Sequence, residues 1–120
     1  MKEESILITG AGSGMGQMAA RLFAAQGYPV AALDVNEKGL LETAENHQNI
    51  RTFNTDVTNY DAVAAVVDET EAKLGPIKRV YNAAAIMPLG KVVDQDIEIF
   101  HRVMDINYNG VVNVSKAVMP

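Results

Sequence analysis

Cysteine is absent from the 120 residues, and so is tryptophan. Without thiols the chain forms no disulfide, performs no thiolate chemistry and builds no cysteine-ligated zinc site. A cysteine-free chain also agrees with a reducing compartment, so a cytoplasmic protein is expected. Positive charge is in deficit: 10 Lys and Arg against 15 Asp and Glu give a formal net charge of −5. That balance argues against a nucleic-acid partner, which usually meets a basic face. Long apolar runs are missing too, since nothing approaches the ~18 residues that a membrane-crossing helix needs. The start, "MKEES", sets two acids ahead of the first apolar run and makes a poor secretory leader.

What is present is globular. Hydrophobic residues make up 48% and charged residues 21%, enough for one domain with a single buried core. Four short runs read as strands: Ser5 to Thr9, Pro29 to Asp34, Ile50 to Asn54, and Arg79 to Asn82 led in by Ile77 and Lys78. Helical spacing fills the gaps. Met15, Met18, Ala19, Leu22 and Phe23 share a face before Gly27, and Asn36 caps a helix that turns Leu40, Leu41 and Ala44 inward. Asn59 or Thr58 caps a third helix with Val63, Val67, Thr70 and Leu74 on one stripe, ended by Gly75-Pro76. A long loop, "AAAIMPLGKVVDQD", precedes a helix from Asp96 with Ile97, Phe100, Val103 and Met104, and another spans Val111 to Met119. Strands alternating with helices imply βαβ units and an open parallel sheet, the α/β class. The methionines mostly fall on core stripes, while His47 and His101 read as solvated. Asn113-Val114-Ser115 fits a glycosylation sequon but sits on an expected helix, and carries no weight.

The densest signal is "ILITGAGSGMGQ", where Gly10, Gly12, Gly14 and Gly16 follow the first strand and open the first helix. Backbone amides and the helix dipole at such a junction suit an anion, and glycine permits close approach. The G-x-G-x-x-G pattern fails in every frame, and no Lys-Ser or Lys-Thr follows to make a P-loop. Thr9-Gly10-x-x-x-Gly14-x-Gly16 does fit. In this spacing the chain resembles the short-chain dehydrogenases/reductases, over essentially its whole length. An ordinary glycine-rich turn is the plain alternative, made less attractive by the position between strand and helix.

The resemblance implies a Rossmann-like, doubly wound parallel sheet in strand order 3-2-1-4, truncated before the later strands. Residues 1–120 would form the NAD-binding half, with no separate second domain. Gly10, Ser13, Gly14, Met15 and Gly16 would meet the pyrophosphate. Asp34, 24 positions after Gly10, would accept hydrogen bonds from the adenosine ribose. Ser13 and Val35 stand where the family's NADP users often carry Arg or Lys, which points to NAD as cofactor. Asp56 and Val57 of "TDVTN" correspond to the adenine side, although Asp56 also suits a loop acid before the next helix. "VYNAAAI" resembles the family's Asn-Asn-Ala-Gly segment only in part: Asn82 matches, Ala83 replaces the second Asn, Ala84 matches, and Ala85 replaces the Gly. These residues would border the inner ribose. Asn107 in "MDINYNG" stands where the family has the Asn of its catalytic tetrad, which kinks the helix and holds a water in the proton relay. It also reads as a polar interruption of an amphipathic helix.

The family's Tyr-x-x-x-Lys does not occur. Tyr28, Tyr60, Tyr81 and Tyr108 are followed four residues on by Ala32, Ala64, Ala85 and Val112. The resemblance therefore implies the cofactor half of an NAD-dependent oxidoreductase acting on a small alcohol or ketone, with no metal and a homo-oligomeric state. A non-catalytic NAD-binding fragment or sensor is the alternative. A flavodoxin-like phosphate-binding domain is a third, against which Asp34 and the glycine spacing both speak. The fourth strand would be an open edge, so a chain of this extent is expected to self-associate or to be marginally stable.

Overall fold

The structure is a computed structural model that describes residues 2–120. Its elements run β1 (Ser5–Thr9), α1 (Gly14–Ala25), β2 (Val30–Asp34), α2 (Glu37–Ala44), β3 (Ile50–Asn54), α3 (Tyr60–Leu74) and β4 (Ile77–Asn82). A single 3₁₀ turn at Val92–Asp94 interrupts the long loop. It is followed by α4 (Ile97–Met104), a π-helical turn at Asp105–Asn109 and α5 (Gly110–Val118). The strands form one parallel sheet in the order β3-β2-β1-β4, with Leu7 opposite Ala31 on one side and Val80 on the other. The expected Rossmann-like arrangement is therefore present, up to its fourth strand.

Alternation along β1 explains the layers. Ile6 and Ile8 point to one face and pack with Ala20, Ala24, Val30, Ala32 and Leu40 under α1 and α2. Leu7 points to the other and joins Ala31, Leu33, Val63, Val67 and Val114 under α3 and α5. Both faces are covered, which is why the central strands are apolar throughout rather than alternating with polar residues. Asn59, rather than Thr58, caps α3: its side-chain oxygen accepts from the Ala62 amide at 3.1 Å.

Two expectations about helix faces are corrected. In α1 the sheet-facing residues are Gly16, Ala20 and Ala24, while Met15, Met18 and Leu22 are exposed. Small residues win because α1 sits very close to β1; a Cβ on Gly16 would overlap the Gly10 carbonyl. In α2, Leu40 and Thr43 are buried and Leu41 is exposed. The methionines do not line the core: Met15, Met18, Met87, Met104 and Met119 are all exposed. Met15, Met18 and Met104 lie on the exposed sides of α1 and α4, Met87 lies in the loop after β4, and Met119 follows α5. Ile97 is likewise 60% exposed, and α4 has no buried residue. Its apolar stripe is only half covered: Ile99, Phe100 and Val103 are half-buried beside the loop that follows β4.

Candidate functional site

A cleft of about 670 Å³ opens at the C-terminal ends of β1, β2 and β4. This is where a doubly wound sheet reverses its strand order and offers a crevice. Gly10, Ser13, Gly14, Met15, Gly16, Asp34, Asp56, Val57, Asn82, Ala83 and Ala84 all line it. Asn107 does not. It borders a neighbouring apolar pocket of about 320 Å³ with Ile86, Phe100 and Met104.

The glycine loop forms the floor, and its three fingerprint glycines do different things. Gly10 has a φ of +65°, and a Cβ there would stand 2.7 Å from the Ala83 carbonyl group and the Ala84 amide. The chain leaving β4 thus occupies the space, and Ala84 donates to the Thr9 hydroxyl at 3.1 Å. Gly16 admits close packing of α1 on the loop. Gly14 alone, at a φ of +54°, has nothing within 4 Å of its missing side chain. Its free space belongs to the cleft.

The helix behind this floor is open to an anion. Ser13, the N-cap of α1, makes no side-chain capping bond, and the first turn carries no acid. Amides at such an end, together with the dipole, favour negative charge from outside. The glycine loop and the helix end behind it therefore fit a diphosphate, and neither brings a basic side chain to the turn.

Asp34 forms one wall. Its Oδ2 accepts from the Gly12 amide at 2.8 Å and its Oδ1 from the Asn36 amide at 3.0 Å. An ionised carboxylate has roughly four acceptor positions, so about two remain available. Asn36 also caps α2, its Oδ1 accepting from the Gly39 amide at 3.0 Å. Gly12, which the sequence reading left without a role, thus braces the wall from behind; its signal was a glycine that the fingerprint does not demand. Thr43 ties the same corner together, donating to Ala11 at 2.7 Å and accepting from Gln17 at 3.0 Å.

On the opposite wall Asp56 holds its own turn, with Oδ1 accepting from the Thr58 amide at 2.9 Å and the Thr58 hydroxyl at 2.8 Å. Val57 is buried beside it. The Asn113 amide donates to the Val57 carbonyl at 2.8 Å, and a Cβ on Gly110 would press 2.7 Å from the Val57 side chain. Asn113, dismissed as a sequon, is therefore a strut between α5 and this loop. Arg102, Asp105 and Ile106 close the rim and had no motif to announce them. Asn107 grips the chain after β4, donating to the Ile86 carbonyl at 2.8 Å and accepting from the Ile86 amide at 2.9 Å. It sits in the π-helical turn, a feature often found at functional sites.

Outside the cleft, Arg79 and then Lys2 hold the Tyr28 phenol below its ordinary pKa. No cluster of potential metal ligands exists among the described residues. None of their helices is long and apolar enough to cross a membrane.

The comparison with known proteins decides the family: the model for short chain dehydrogenases matches residues 4–120. The chain belongs to the short chain dehydrogenases. It is 33% identical to a meso-2,3-butanediol dehydrogenase of Serratia marcescens, over 96% of this chain and 47% of that protein. It is 37% identical to a sulfoacetaldehyde reductase of Chromohalobacter salexigens, again over 96% of this chain and 47% of the relative. A crystal structure of a short chain dehydrogenase from Bacillus anthracis superposes with a TM-score of 0.92 at 29% identity, covering 98% of this chain and 49% of that one. The chain thus spans about half the length of these short chain dehydrogenases. Members of the family generally bind a nicotinamide cofactor and a substrate, and act as oxidoreductases.

Proposed function

We propose that this chain supplies the cofactor-binding half of an NAD-dependent oxidoreductase that moves hydride between nicotinamide and a small alcohol or ketone. The observation that carries the choice of NAD is Asp34: a carboxylate fixed by two backbone amides, facing the cleft, with Ser13 and Val35 rather than Arg or Lys nearby. In this reading Asp34 accepts from the ribose hydroxyls and repels a 2′-phosphate. The amides of Ser13 to Gly16 hold the pyrophosphate, Gly14 giving it room and Gly10 shaping the turn. Asp56 and Val57 border the adenine, and Asn82 to Ala84 pass the inner ribose. The bound nicotinamide would accept or donate the hydride. Asn107 has a supporting part: its side chain is committed to Ile86, which leaves its main-chain carbonyl to hold a relay water.

Titration with NADH and NADPH, followed by nucleotide fluorescence, tests the assignment. Saturable NADH binding is expected, with NADPH about tenfold weaker or worse. Asp34→Arg should move the preference toward NADPH, and unchanged selectivity would count against the ribose role. A chain that binds neither nucleotide ends this reading.

One observation favours a second reading, in which NAD is bound but not turned over. None of the four tyrosines is followed by Lys at the fourth position, so the family's acid/base pair is not in these residues. NADH binding without turnover on a broad alcohol panel, beside an intact mass near 12.9 kDa for the natural protein, would favour it. A homo-oligomer is supported by exposed Met104, Tyr108, Val112 and Met119, from the end of α4 to just past α5. Light scattering that returns a well-behaved monomer would remove it.

A further inference from the structure

The Asp34 carboxylate is held by a contact that cofactor binding alone does not require. Its two partners are backbone amides from separate loops, Gly12 at 2.8 Å on one side and Asn36 at 3.0 Å on the other. A Cβ on Gly12 would stand 2.8 Å from the same Oδ2 and 3.3 Å from the Asn36 carbonyl oxygen. Gly39 completes the corner, because a Cβ there would overlap the Gly12 carbonyl. The first turn of α2 closes on the glycine loop only with hydrogen at position 39, whereas position 12 faces the Asp34 side chain. Gly12 is not among the glycines with positive φ. An alanine there meets no backbone strain; its hardest collision is with the movable end of the Asp34 side chain.

We propose that Gly12 is a specificity-determining position of this cleft, acting through Asp34. The claim rests on the reading above that Asp34 meets the adenosine ribose. Two amides occupy the inner acceptor positions of the carboxylate and fix its plane, leaving the outer ones for a pair of vicinal hydroxyls. A phosphate in place of one hydroxyl meets a charge that cannot turn aside. Any side chain at position 12 displaces Oδ2, removes the amide bond and lets the carboxylate rotate. Affinity for the diol then falls, and exclusion of the phosphate relaxes with it. Gly12 is therefore a positioning residue whose effect disappears when Asp34 is absent.

A double-mutant cycle tests this dependence. NADH and NADPH are titrated into the wild type, Gly12→Ala, Asp34→Ala and the double variant, with thermal melts confirming folding. Gly12→Ala is expected to weaken NADH about fivefold and to narrow the NADH-to-NADPH ratio. In the Asp34→Ala background the same change should alter NADH affinity by less than about twofold. Equal losses in both backgrounds, or an unchanged ratio, would overturn the proposal. A second measurement needs neither ligand nor a folded Gly12 variant. In the free protein, Asp34→Ala should shift the Gly12 and Asn36 amide resonances together and speed hydrogen exchange at both, relative to the wild type. Resonances that stay still would refute the clamp. Wild-type protein that binds no NADH overturns the ribose reading itself; normal NADH binding with an indifferent Gly12→Ala overturns the clamp's role alone.

Discussion

The chain up to α3 and the chain from β4 onward are both rich in apolar residues and differ in how far they bury them. From β1 to α3 the apolar residues are mostly buried: every position of β1 is inaccessible, and α3 buries Val63, Val67 and Thr70. From β4 onward Val114 is the one fully buried apolar residue among those described, and the others are half-buried or exposed. β4 is an edge strand with exposed Lys78 and Arg79, and Met87, Leu89, Val92 and Val93 are each at least 74% exposed. The site inherits the contrast. Its Asp34 corner is fixed chiefly by hydrogen bonds of the Asp34 and Thr43 side chains to nearby backbone, whereas its Asn82 wall runs into a loop tied by Thr9 and Asn107. At the first corner hydrogen bonds are reinforced by the close approach of Gly12 and Gly39; at the second a few polar struts act without such packing.

The contrast is broken most severely at Gly16. Gly16→Val forces a branched side chain into the Gly10 carbonyl, and a loss of about 4 kcal/mol or more in denaturant unfolding is expected. A matched pair sharpens it. Ile8→Ala, at a fully buried position, should cost about 2–5 kcal/mol, while Val93→Ala at 88% exposure should stay within about 0.5 kcal/mol. Equal costs would mean that the β4 side is covered in solution. Asn107→Ala removes two hydrogen bonds to Ile86, and about 1–3 kcal/mol of stability should go with them. Hydrogen exchange at Ile86 should accelerate while the amide of Ala11, bonded to Leu33, keeps its protection. The smallest effect is electrostatic. Arg51, chiefly, holds the Glu69 carboxyl below its ordinary pKa. Its contribution is full above the unfolded glutamate value and lost as pH falls through the lowered one. Glu69→Gln should therefore flatten the acid limb of the stability profile slightly, in a pH series of melts.

The strand pattern, the helix cap at Asn36 and the glycine loop under the cleft were legible in the sequence; Arg102, Asp105 and Ile106 on the rim were not. Periodicity and turn chemistry suffice where a segment packs against its own neighbours. They misled at Met15, Met18, Leu22 and Leu41, because a helical stripe records an apolar face without saying which of two faces meets the sheet. In α1 the decision fell to Gly16, Ala20 and Ala24, whose merit is small size, a property invisible to hydrophobic spacing. The struts were hidden for another reason. Thr9, Gly12 and Asn113 act on partners 75, 22 and 56 positions away, and no local pattern encodes such a distance.

The place of β1 in the middle of the sheet also sets a schedule. Its first neighbour, β2, begins at Val30, but its second, β4, ends only at Asn82. On a ribosome adding about 5–20 residues each second, several seconds separate the two. Throughout that interval Ile6, Leu7 and Ile8 present one unsatisfied row of backbone amides and carbonyls to whatever else is in the cell. The segment most completely enclosed in the finished protein is thus the one that waits longest, half paired, for its final partner.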